Sequence, residues 1–202
     1  MRRFHFESSA SVSLRARRDL LSQMIDQASE RTARARILSL ACGHLREAQR
    51  SHAVRRGDIE QFIALDQDQL SLAVVEREQG RQGVVTVCDT VLSVLSGERV
   101  FRDFDFVYAA GLFDYLPDAM ATRLTTRMFE MLRPGGNLLL ANFVPGSQGR
   151  GYTEAFMDWW LIHRDEADLH SLATEIPKAD IARLRSFQDE LGNIAYLELE
   201  KR

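Results

Sequence analysis

The 202-residue sequence contains few of the residues that mark several large classes of protein. Its two cysteines, Cys42 and Cys88, are too few for a disulfide framework or for a four-ligand zinc site. No apolar run approaches the roughly 20 residues that a membrane-spanning helix needs. Arg2 and Arg3 near the start are followed by no apolar stretch, which is unlike a secretory signal. These absences predict a cytoplasmic protein with no membrane span and no metal site.

Lysine is almost absent, because Lys178 and Lys201 are the only lysines among 26 basic residues. We interpret this as a compositional bias of the genome rather than as a functional signal. The 26 basic residues face 29 acidic ones, and the net charge is -3. Proteins that bind nucleic acid through its phosphates usually carry excess basic charge, so nucleic acid is a disfavoured partner, although a local basic patch stays open.

Short apolar runs alternate with segments of helical periodicity along most of the chain. The predicted strands are residues 37–41, 62–66, 84–89, 105–111 and 137–143. Helices are predicted over about 12–32, from about Arg46, through 70–75 and through 120–132, and the arginines of the first helix are expected to face water. All-apolar strands that alternate with helices predict a parallel sheet with helices on both faces and right-handed crossovers.

The C-terminal part of the chain has a different pattern. After a predicted helix near residues 165–173, residues 182–187 and 193–199 alternate between apolar and polar side chains. The polar stretch from Asp189 to Gly192 separates them, which predicts a β-hairpin. A parallel sheet that ends in a hairpin has one antiparallel strand near its edge.

Small or acidic residues follow the first four predicted strands. Ligands of an open parallel sheet bind at the carboxyl ends of its strands, so these positions are the strongest candidates for a site. They are Ala41 to His44, Asp66, Asp89 with Thr90, and Ala110 to Leu112.

The chemistry of these strand ends suits an adenosine with a carboxylate-bearing tail. Gly43 lets the backbone approach a ligand, and the N-terminus of the helix predicted after it favours an anion, either a phosphate or a carboxylate. Asp66 lies 23 residues after Gly43, near the spacing at which an acid holds ribose hydroxyls. Asp89 is placed to accept a hydrogen bond from an exocyclic amine.

Each of these residues also has an ordinary structural interpretation. A glycine after a strand is often only part of a turn, and an acid at a strand end often caps the following helix. Cys42 and Cys88 are expected to pack as small side chains rather than to act as nucleophiles. The order of the four strand ends favours the functional interpretation over these alternatives.

The same residues carry a resemblance to the class I S-adenosylmethionine (SAM)-dependent methyltransferases. Residues 37–43 resemble the glycine-rich first motif of that family, and residues 132–139 resemble the turn into its fifth strand. Leu65 with Asp66 resembles the acid that holds the ribose, Cys88 with Asp89 the acid near the adenine amine, and residues 104–108 the start of the fourth strand. The resemblance covers about residues 35–200 and implies SAM as the cofactor.

The resemblance also implies a Rossmann-like, doubly wound α/β fold. Its central sheet is expected to have seven strands, mostly parallel, with one antiparallel strand from the C-terminal hairpin. We expect residues 1–35 to form an N-terminal helical cap or lid and residues 36–202 to form the SAM-binding methyltransferase domain.

The first motif departs from the family pattern at three positions. Ser39 replaces the usual acid, Ala41 replaces the first glycine, and Leu45 stands where a further glycine is common. Two explanations stay open: the space for the cofactor is smaller than usual, or the methionine tail of SAM binds in a shifted position. A nicotinamide-dependent reductase fits less well, because only Gly43 of the Gly-x-Gly-x-x-Gly turn is there.

Three segments resemble a narrower bacterial group that includes the synthases of 3-hydroxypalmitic acid methyl ester. They are residues 39–47, 110–118 and 158–164. This resemblance implies a hydroxy-fatty-acid carboxylate as the methyl acceptor.

The cofactor site that the family resemblance implies extends over all four strand ends. Asp66 is assigned to the ribose, Asp89 to the adenine end, and residues 41–43 to the methionine part of SAM. Arg46 and Glu47 meet the methionine tail or else form a surface pair. The full set is Leu40, Ala41, Cys42, Gly43, Arg46, Glu47, Asp66, Gln67, Asp89, Thr90, Ala110, Gly111 and Leu112.

The acceptor side is predicted near the ends of the fourth and fifth strands. The candidate catalytic residues are Asp114, Tyr115 and His163, and the candidate substrate-binding residues are Tyr115, Tyr152, Trp159, Trp160 and His163. A carboxylate acceptor needs no general base, whereas a hydroxyl or an amine does. The structural alternatives are that Asp114 caps a turn, that a tryptophan packs on the core, and that His163 only shares a helix face with Trp159.

The sequence therefore predicts an enzyme that transfers the methyl group of SAM to a small, partly hydrophobic acceptor by in-line displacement, as an O-methylation. A small-molecule substrate is expected, and a homodimer is left open. Two alternatives stay open as well: a non-catalytic SAM- or nucleotide-binding partner subunit, and an RNA or protein methyltransferase.

Overall fold

A computed structural model describes residues 9–147 and 160–202 of the chain. Its strands are β1 (Ala35–Leu40), β2 (Ile59–Asp66), β3 (Val84–Cys88), β4 (Phe104–Ala109), β5 (Leu132–Phe143), β6 (Ile181–Gln188) and β7 (Ile194–Lys201). Its α-helices are α1 (Ser9–Arg31), α2 (His52–Arg56), α3 (Gln69–Gln79), α4 (Val91–Ser96), α5 (Asp118–Glu130) and α6 (Glu166–Ser171). Short 3₁₀ helices cover Gly80–Gln82, Phe113–Tyr115 and Lys178–Asp180.

The seven strands form one sheet in the order β3-β2-β1-β4-β5-β7-β6. Neighbouring strands from β3 to β5 are parallel, whereas β7 is antiparallel to both β5 and β6. This topology confirms the predicted fold, with its single antiparallel strand from the C-terminal hairpin. The strand order reverses between β1 and β4, which is where a doubly wound sheet opens a crevice for a ligand.

Side chains of the central strands alternate between two cores, one on each face of the sheet. On one face, Leu38 and Leu40 pack in a cluster with α5 and α6. On the other face, Ile37, Phe106 and Tyr108 pack in a cluster with α1. The sheet is therefore covered on both faces, as its apolar strands require.

The first helix is an integral part of the second core. Its buried residues Leu21, Met24, Ile25 and Ala28 recur at helical spacing and pack against the sheet. The helix covers nearly the range that the sequence predicts. The division into a cap over residues 1–35 and a domain over 36–202 stays a prediction.

The prediction of a helix from about Arg46 is wrong. Residues 43–50 form turns, and the short helix α2 begins only at His52, behind the N-cap Ser51. Residues 45–51 are instead joined mainly by turn hydrogen bonds three residues apart, in which the N–H groups of Ala48, Arg50 and Ser51 donate to the carbonyl oxygens of Leu45, Glu47 and Ala48. Gly43 and Leu45, just before these turns, have positive φ angles of 52° and 48°. The expected anion site at a helix N-terminus behind Gly43 is therefore absent.

Gly135 and Gly136 lie within the fifth strand, at an irregularity in its pairing. β5 begins at Leu132, and its pairing with β4 shifts register between Leu132 and Asn137. A Cβ atom on Gly136 would lie 2.7 Å from the carbonyl oxygen of Phe104, so only glycine fits there.

Over the described ranges, no helix has the length and apolarity needed to cross a membrane.

Candidate active site

A cavity of about 330 Å³ opens at the carboxyl ends of β1 and β4, at the point where the strand order reverses. Its walls come from α1, from the end of β1 with the turns after it, and from the end of β4. The predicted site residues among its lining are Ala41, Cys42, Gly43, Arg46, Glu47, Ala110 and Gly111. Other predicted cofactor residues, namely Leu40, Asp66, Gln67, Asp89, Thr90 and Leu112, lie outside this lining.

The turn after β1 has a left-handed backbone at two positions. Ala41 has a φ angle of 51° and Gly43 one of 52°, and both line the cavity. Burial raises the pKa of the Cys42 thiol between them. A thiol that keeps its proton is a poor nucleophile, which supports the packing role expected for Cys42.

Asp66 at the end of β2 holds this turn in place. Its Oδ2 atom accepts a hydrogen bond from the Gly43 N–H at 2.8 Å, and its Oδ1 atom accepts one from the Asp68 N–H at 2.9 Å. A carboxylate offers about four lone-pair positions, so each oxygen of Asp66 keeps one for a ligand hydroxyl. The half-buried Asp66 therefore has the capacity that a ribose partner needs.

Asp89 lies directly beside Asp66 at the end of β3. The Asp89 N–H donates to the carbonyl oxygen of Asp66 at 3.0 Å, so these strand ends are neighbours. Its carboxylate accepts from the Thr90 N–H at 2.7 Å and from the Arg99 Nε at 2.6 Å. Arg99, which the sequence did not single out, lowers the pKa of Asp89 and keeps it ionised.

Three further residues predicted to bind the cofactor, Gln67, Thr90 and Leu112, do not line the cavity. Thr90 caps α4 through its hydroxyl, which accepts from the Ser93 N–H at 3.4 Å, and Gln67 is exposed. Leu112 precedes the 3₁₀ helix that begins at Phe113.

Glu47 is buried on the wall of the cavity, whereas Arg46 beside it is exposed. The Tyr108 hydroxyl donates to Glu47 Oε1 at 2.7 Å. Burial raises the pKa of both Glu47 and Tyr108. The alternative in which Arg46 and Glu47 form a surface pair is therefore wrong.

Arg17 of α1 also lines the cavity, and sequence reasoning missed it. We expected the arginines of this helix to face water, which is wrong for Arg17 because its side chain is half-buried. Burial lowers the pKa of Arg17, and the charges of Asp114 and Glu47 oppose that effect. A signal was available, since Arg17 lies three residues after Leu14 and four before Leu21, within the buried stripe.

Asp114 is buried next to the cavity and joins the ends of β4 and β5. Its Oδ1 atom accepts from the Phe143 N–H at 2.7 Å, and its carbonyl oxygen accepts from the Ile162 N–H at 2.7 Å. Burial raises the pKa of Asp114 to about 6. Asp114 therefore titrates close to neutral pH, as a general base should.

The remaining acceptor candidates lie around this acid. Tyr115 is 49% exposed and Trp160 is 67% exposed. Residues 160–165 have no regular structure, so His163 does not lie on a helix face. Tyr152 and Trp159 lie outside the described residues.

Arg164 is a second residue to which the sequence pattern assigned no role. Its buried guanidinium donates to the carbonyl oxygens of Phe113 at 2.7 Å and Leu116 at 2.6 Å, and to Asp118 Oδ1 at 2.6 Å. It also donates to Asn142 Oδ1 at 3.1 Å. Arg164 thereby fixes the loop after β4 against the end of β5.

The strand ends fit SAM in two parts. Asp66 and Asp89 offer carboxylates on neighbouring strands for the nucleoside. The cavity beyond Gly43 is lined by three arginines, Arg17, Arg18 and Arg46, and by the one buried carboxylate of Glu47, so it offers partners for both charges of an amino-acid tail. The donor and acceptor set therefore fits both ends of this cofactor.

Comparisons with known proteins agree with this assignment. A model of the methyltransferase domain family matches residues 38–140, just over half of the chain. A protein of Bordetella parapertussis described as a possible exported protein is 19% identical, with a TM-score of 0.78 over 98% of this chain and 71% of that one. No curated protein sequence matches this chain.

Two solved methyltransferases share the fold with bound S-adenosylhomocysteine (SAH). Magnesium protoporphyrin IX methyltransferase of Synechocystis is 12% identical, with a TM-score of 0.66 over 95% of this chain and 84% of that one. The N-methyltransferase NodS of Bradyrhizobium japonicum is 12% identical, with a TM-score of 0.65 over 98% of this chain and 90% of that one. Because the family model spans half of the sequence, the chain belongs to the methyltransferase domain family and is a SAM-dependent methyltransferase.

Proposed function

We propose that this enzyme methylates an oxygen atom of a small, partly hydrophobic acceptor, with the carboxylate of a hydroxy fatty acid as the leading candidate. SAM supplies a methyl group on a positively charged sulfur that leaves as a neutral thioether. The protein's task is to hold donor and acceptor in line at near-attack distance.

The cofactor half of the proposal rests on the hydrogen-bonded chain Gly43–Asp66–Asp89 across three strand ends. We assign Asp66 to the ribose hydroxyls and Asp89 to the adenine amine. Residues 41–43 lie along the methionine part, and residues 110–112 form the floor of the cleft.

The single observation that carries the acceptor half is an apolar surface beside Asp114. The Ile162 N–H donates to the carbonyl oxygen of Asp114, which places the segment from Trp160 to Ile162 against the end of β4. Trp160, Ile162 and Tyr115 are all exposed there. An aliphatic or aromatic acceptor gains free energy by covering such side chains. Tyr152 and Trp159 stay proposed substrate-binding residues.

The role of Asp114 separates two classes of acceptor. A carboxylate is already a nucleophile, so its methylation proceeds without a base. A hydroxyl needs one, and Asp114, Tyr115 and His163 are the candidates. For a hydroxyl acceptor with Asp114 as the base, kcat/KM rises with pH through about 6 in the wild type, and this rise disappears in Asp114→Asn.

A direct test incubates the purified protein and SAM with hydroxy fatty acids, with phenols, and with RNA. We expect SAH to form together with a small-molecule product heavier by one methylene unit. Methylated RNA, or automethylated protein, as the only product would contradict a small acceptor. Cleavage of the product by mild alkali identifies a methyl ester and distinguishes the carboxylate from the hydroxyl.

The ribose assignment predicts that Asp66→Ala weakens SAH binding by about 10- to 100-fold, the cost of losing hydrogen bonds to a charged group. Isothermal titration calorimetry measures the affinity, and the melting curve should stay cooperative. Asp58→Ala, which removes an acid just before the opposite end of the same strand, is the matched control and should bind SAH normally. An unchanged affinity in Asp66→Ala would refute the assignment.

A cytoplasmic location and the absence of nucleic acid as a partner also belong to this proposal. The net charge of -3 supports the second point. The alternative is an exported protein, since the similar protein of Bordetella parapertussis is described as a possible exported protein. A homodimer is tested by sedimentation of the purified chain.

A further inference from the structure

Arg17, Arg18, Arg46 and Glu47 are charged residues that line the active-site cavity. Arg46 is exposed, and Arg18 donates to the Leu14 carbonyl of its own helix, which leaves Arg17 and Glu47 as the oppositely charged pair that faces the cavity from different elements. Arg17 comes from α1, and its Nη2 atom lies 3.9 Å from the position that a Cβ atom on Gly111 would occupy. Glu47 comes from the turns after β1, and only 7% of it is exposed. Both line the same cavity, and their charges interact.

The buried carboxylate of Glu47 lies close to the position where the family's first-motif acid is missing. Ser39 occupies that position, is buried and lines the cavity. Tyr108 pairs with Ser39 in the register of β1 and β4, and its hydroxyl donates to Glu47. Tyr108 thus lies between Ser39, where the acid of the family motif is missing, and the Glu47 carboxylate on the wall of the same cavity.

Helix α1 is fixed on both sides of Arg17. Before it, the Ser13 hydroxyl donates to Asp189 in the turn between β6 and β7. After it, Asp26 accepts from the Ser51 hydroxyl at 2.5 Å, just ahead of α2. The backbone at Arg17 is therefore held at a defined place over the cavity, and the helix does not have to be ordered when the arginine binds a ligand.

We infer that Arg17 and Glu47 form a clamp for an α-amino-acid group, in which Arg17 binds the carboxylate and Glu47 binds the ammonium. The ligand is the methionine end of SAM, so the inference rests on the proposed function. A planar guanidinium matches a carboxylate with two parallel hydrogen bonds. The charges of Arg17 and Arg18 already act on the buried carboxylate of Glu47, and the ammonium adds a charged hydrogen-bond donor to it. The acid lost at Ser39 is thereby replaced from the next turn, and the methionine tail is shifted toward α1.

The test compares three ligands by calorimetry: SAH, decarboxylated SAH, and methylthioadenosine, which lacks both the amine and the carboxylate. The proteins are the wild type, Arg17→Ala, Glu47→Gln and Arg34→Ala. Arg34 is exposed near the far end of α1 and serves as the charge-matched control. Glutamine at position 47 keeps an oxygen that accepts from Tyr108. Melting curves show whether each variant is folded, and Arg17→Lys replaces Arg17→Ala if the latter unfolds.

We expect Arg17→Ala to weaken SAH about 10- to 100-fold and to leave decarboxylated SAH unchanged, because only SAH carries the carboxylate. Glu47→Gln should weaken both amine-bearing ligands by a similar factor. Methylthioadenosine should bind all four proteins alike, and Arg34→Ala should match the wild type with every ligand. With Arg17→Lys, the loss for SAH should be smaller than with alanine.

The clamp is overturned if Arg17→Ala and Glu47→Gln bind SAH as tightly as the wild type does. Equal losses for SAH and methylthioadenosine would also overturn it, because the damage would then not be specific to the tail. If the wild type binds none of the three ligands, the proposed function fails, and the clamp fails with it. Binding of methylthioadenosine without any preference for SAH removes the clamp alone.

Discussion

Ala41 shows how a single residue can keep a motif's backbone while losing its usual side chain. An alanine replaces the first glycine of the motif, yet its φ angle of 51° is one that glycine adopts without strain. The sequence shows the substitution but not the conformation, because the left-handed region is imposed by the turn between β1 and the cavity. Ala41 therefore differs from glycine in its side chain, whereas its φ angle is one that glycine adopts.

This conformation predicts that Ala41→Gly stabilises the protein by about 1 kcal/mol, since an L-residue in the left-handed region costs roughly 1–2 kcal/mol and glycine's unfolded-state entropy offsets part of the gain. Urea unfolding measures the difference. Ala48→Gly is the control in the same turns, where φ is not positive, and it should destabilise the protein by about 1 kcal/mol. A loss of stability in both variants would contradict the strain at Ala41.

The burial of Asp114 predicts how the stability of the protein depends on pH. The pKa of Asp114 is raised from its ordinary value of 3.8 to about 6, so the folded chain holds this proton more tightly than the unfolded chain does. The contribution of Asp114 to stability is therefore greatest below about pH 4 and declines as the pH rises through about 6. Arg17 and Arg164, the charged groups that face it, reduce this effect without cancelling it.

Asp114→Asn should therefore gain stability relative to the wild type between pH 4 and pH 8, by an amount of the order of 3 kcal/mol. Urea titrations at both pH values measure the difference, and the amide oxygen can still accept from the Phe143 N–H. The same stability difference at both pH values would show that Asp114 does not titrate near 6 in the folded protein.

Among the elements, the loop after β4 depends on one buried side chain from a distant part of the chain. Arg164 satisfies the carbonyl oxygens of Phe113 and Leu116 and also reaches Asp118. Asp118 is 83% exposed at its side chain, so this ion pair is worth little in water. The buried carbonyl groups are the more important partners, because they lose water on folding.

Arg164→Ala should consequently destabilise the protein by about 3 kcal/mol, since it removes the buried donor to the Leu116 carbonyl and to Asn142 Oδ1 and leaves the Phe113 carbonyl only the Leu116 N–H. Asp118→Ala, which removes only the exposed partner, should cost less than about 1 kcal/mol. Thermal or urea unfolding of both variants compares the two costs. Equal effects of the two substitutions would contradict this division.

The elements also show which predictions from sequence succeed. The first five strands and the hairpin follow from apolar runs and alternation, and all are found close to their predicted positions. The helix expected from Arg46 is wrong, because residues 45–51 form successive turns, and the spacing of apolar residues does not distinguish such turns from a helix. Arg17 and Arg164 were missed because each acts through partners that are far away in the sequence.

In the whole molecule, the topology of the sheet explains why the smaller of two described cavities is the candidate active site. A larger cleft of about 580 Å³ lies beside Asp26, Arg34 and Asp58, at the end of the sheet where β1 and β2 begin. The cavity of about 330 Å³ lies where the strands end and where their order reverses. Asp66 and Asp89 lie at this same end of the sheet, next to the turn that lines the cavity, and ligands of doubly wound sheets generally bind at the carboxyl ends of the strands.

A crystal structure of this protein grown with SAH would show directly where the cofactor binds. We expect the nucleoside to cross the ends of β1, β2 and β3, with the ribose hydroxyls on Asp66, and the amino-acid tail to lie between Arg17 and Glu47. A ligand bound in the larger cleft at the opposite end of the sheet, or with its ribose away from Asp66, would contradict this expectation.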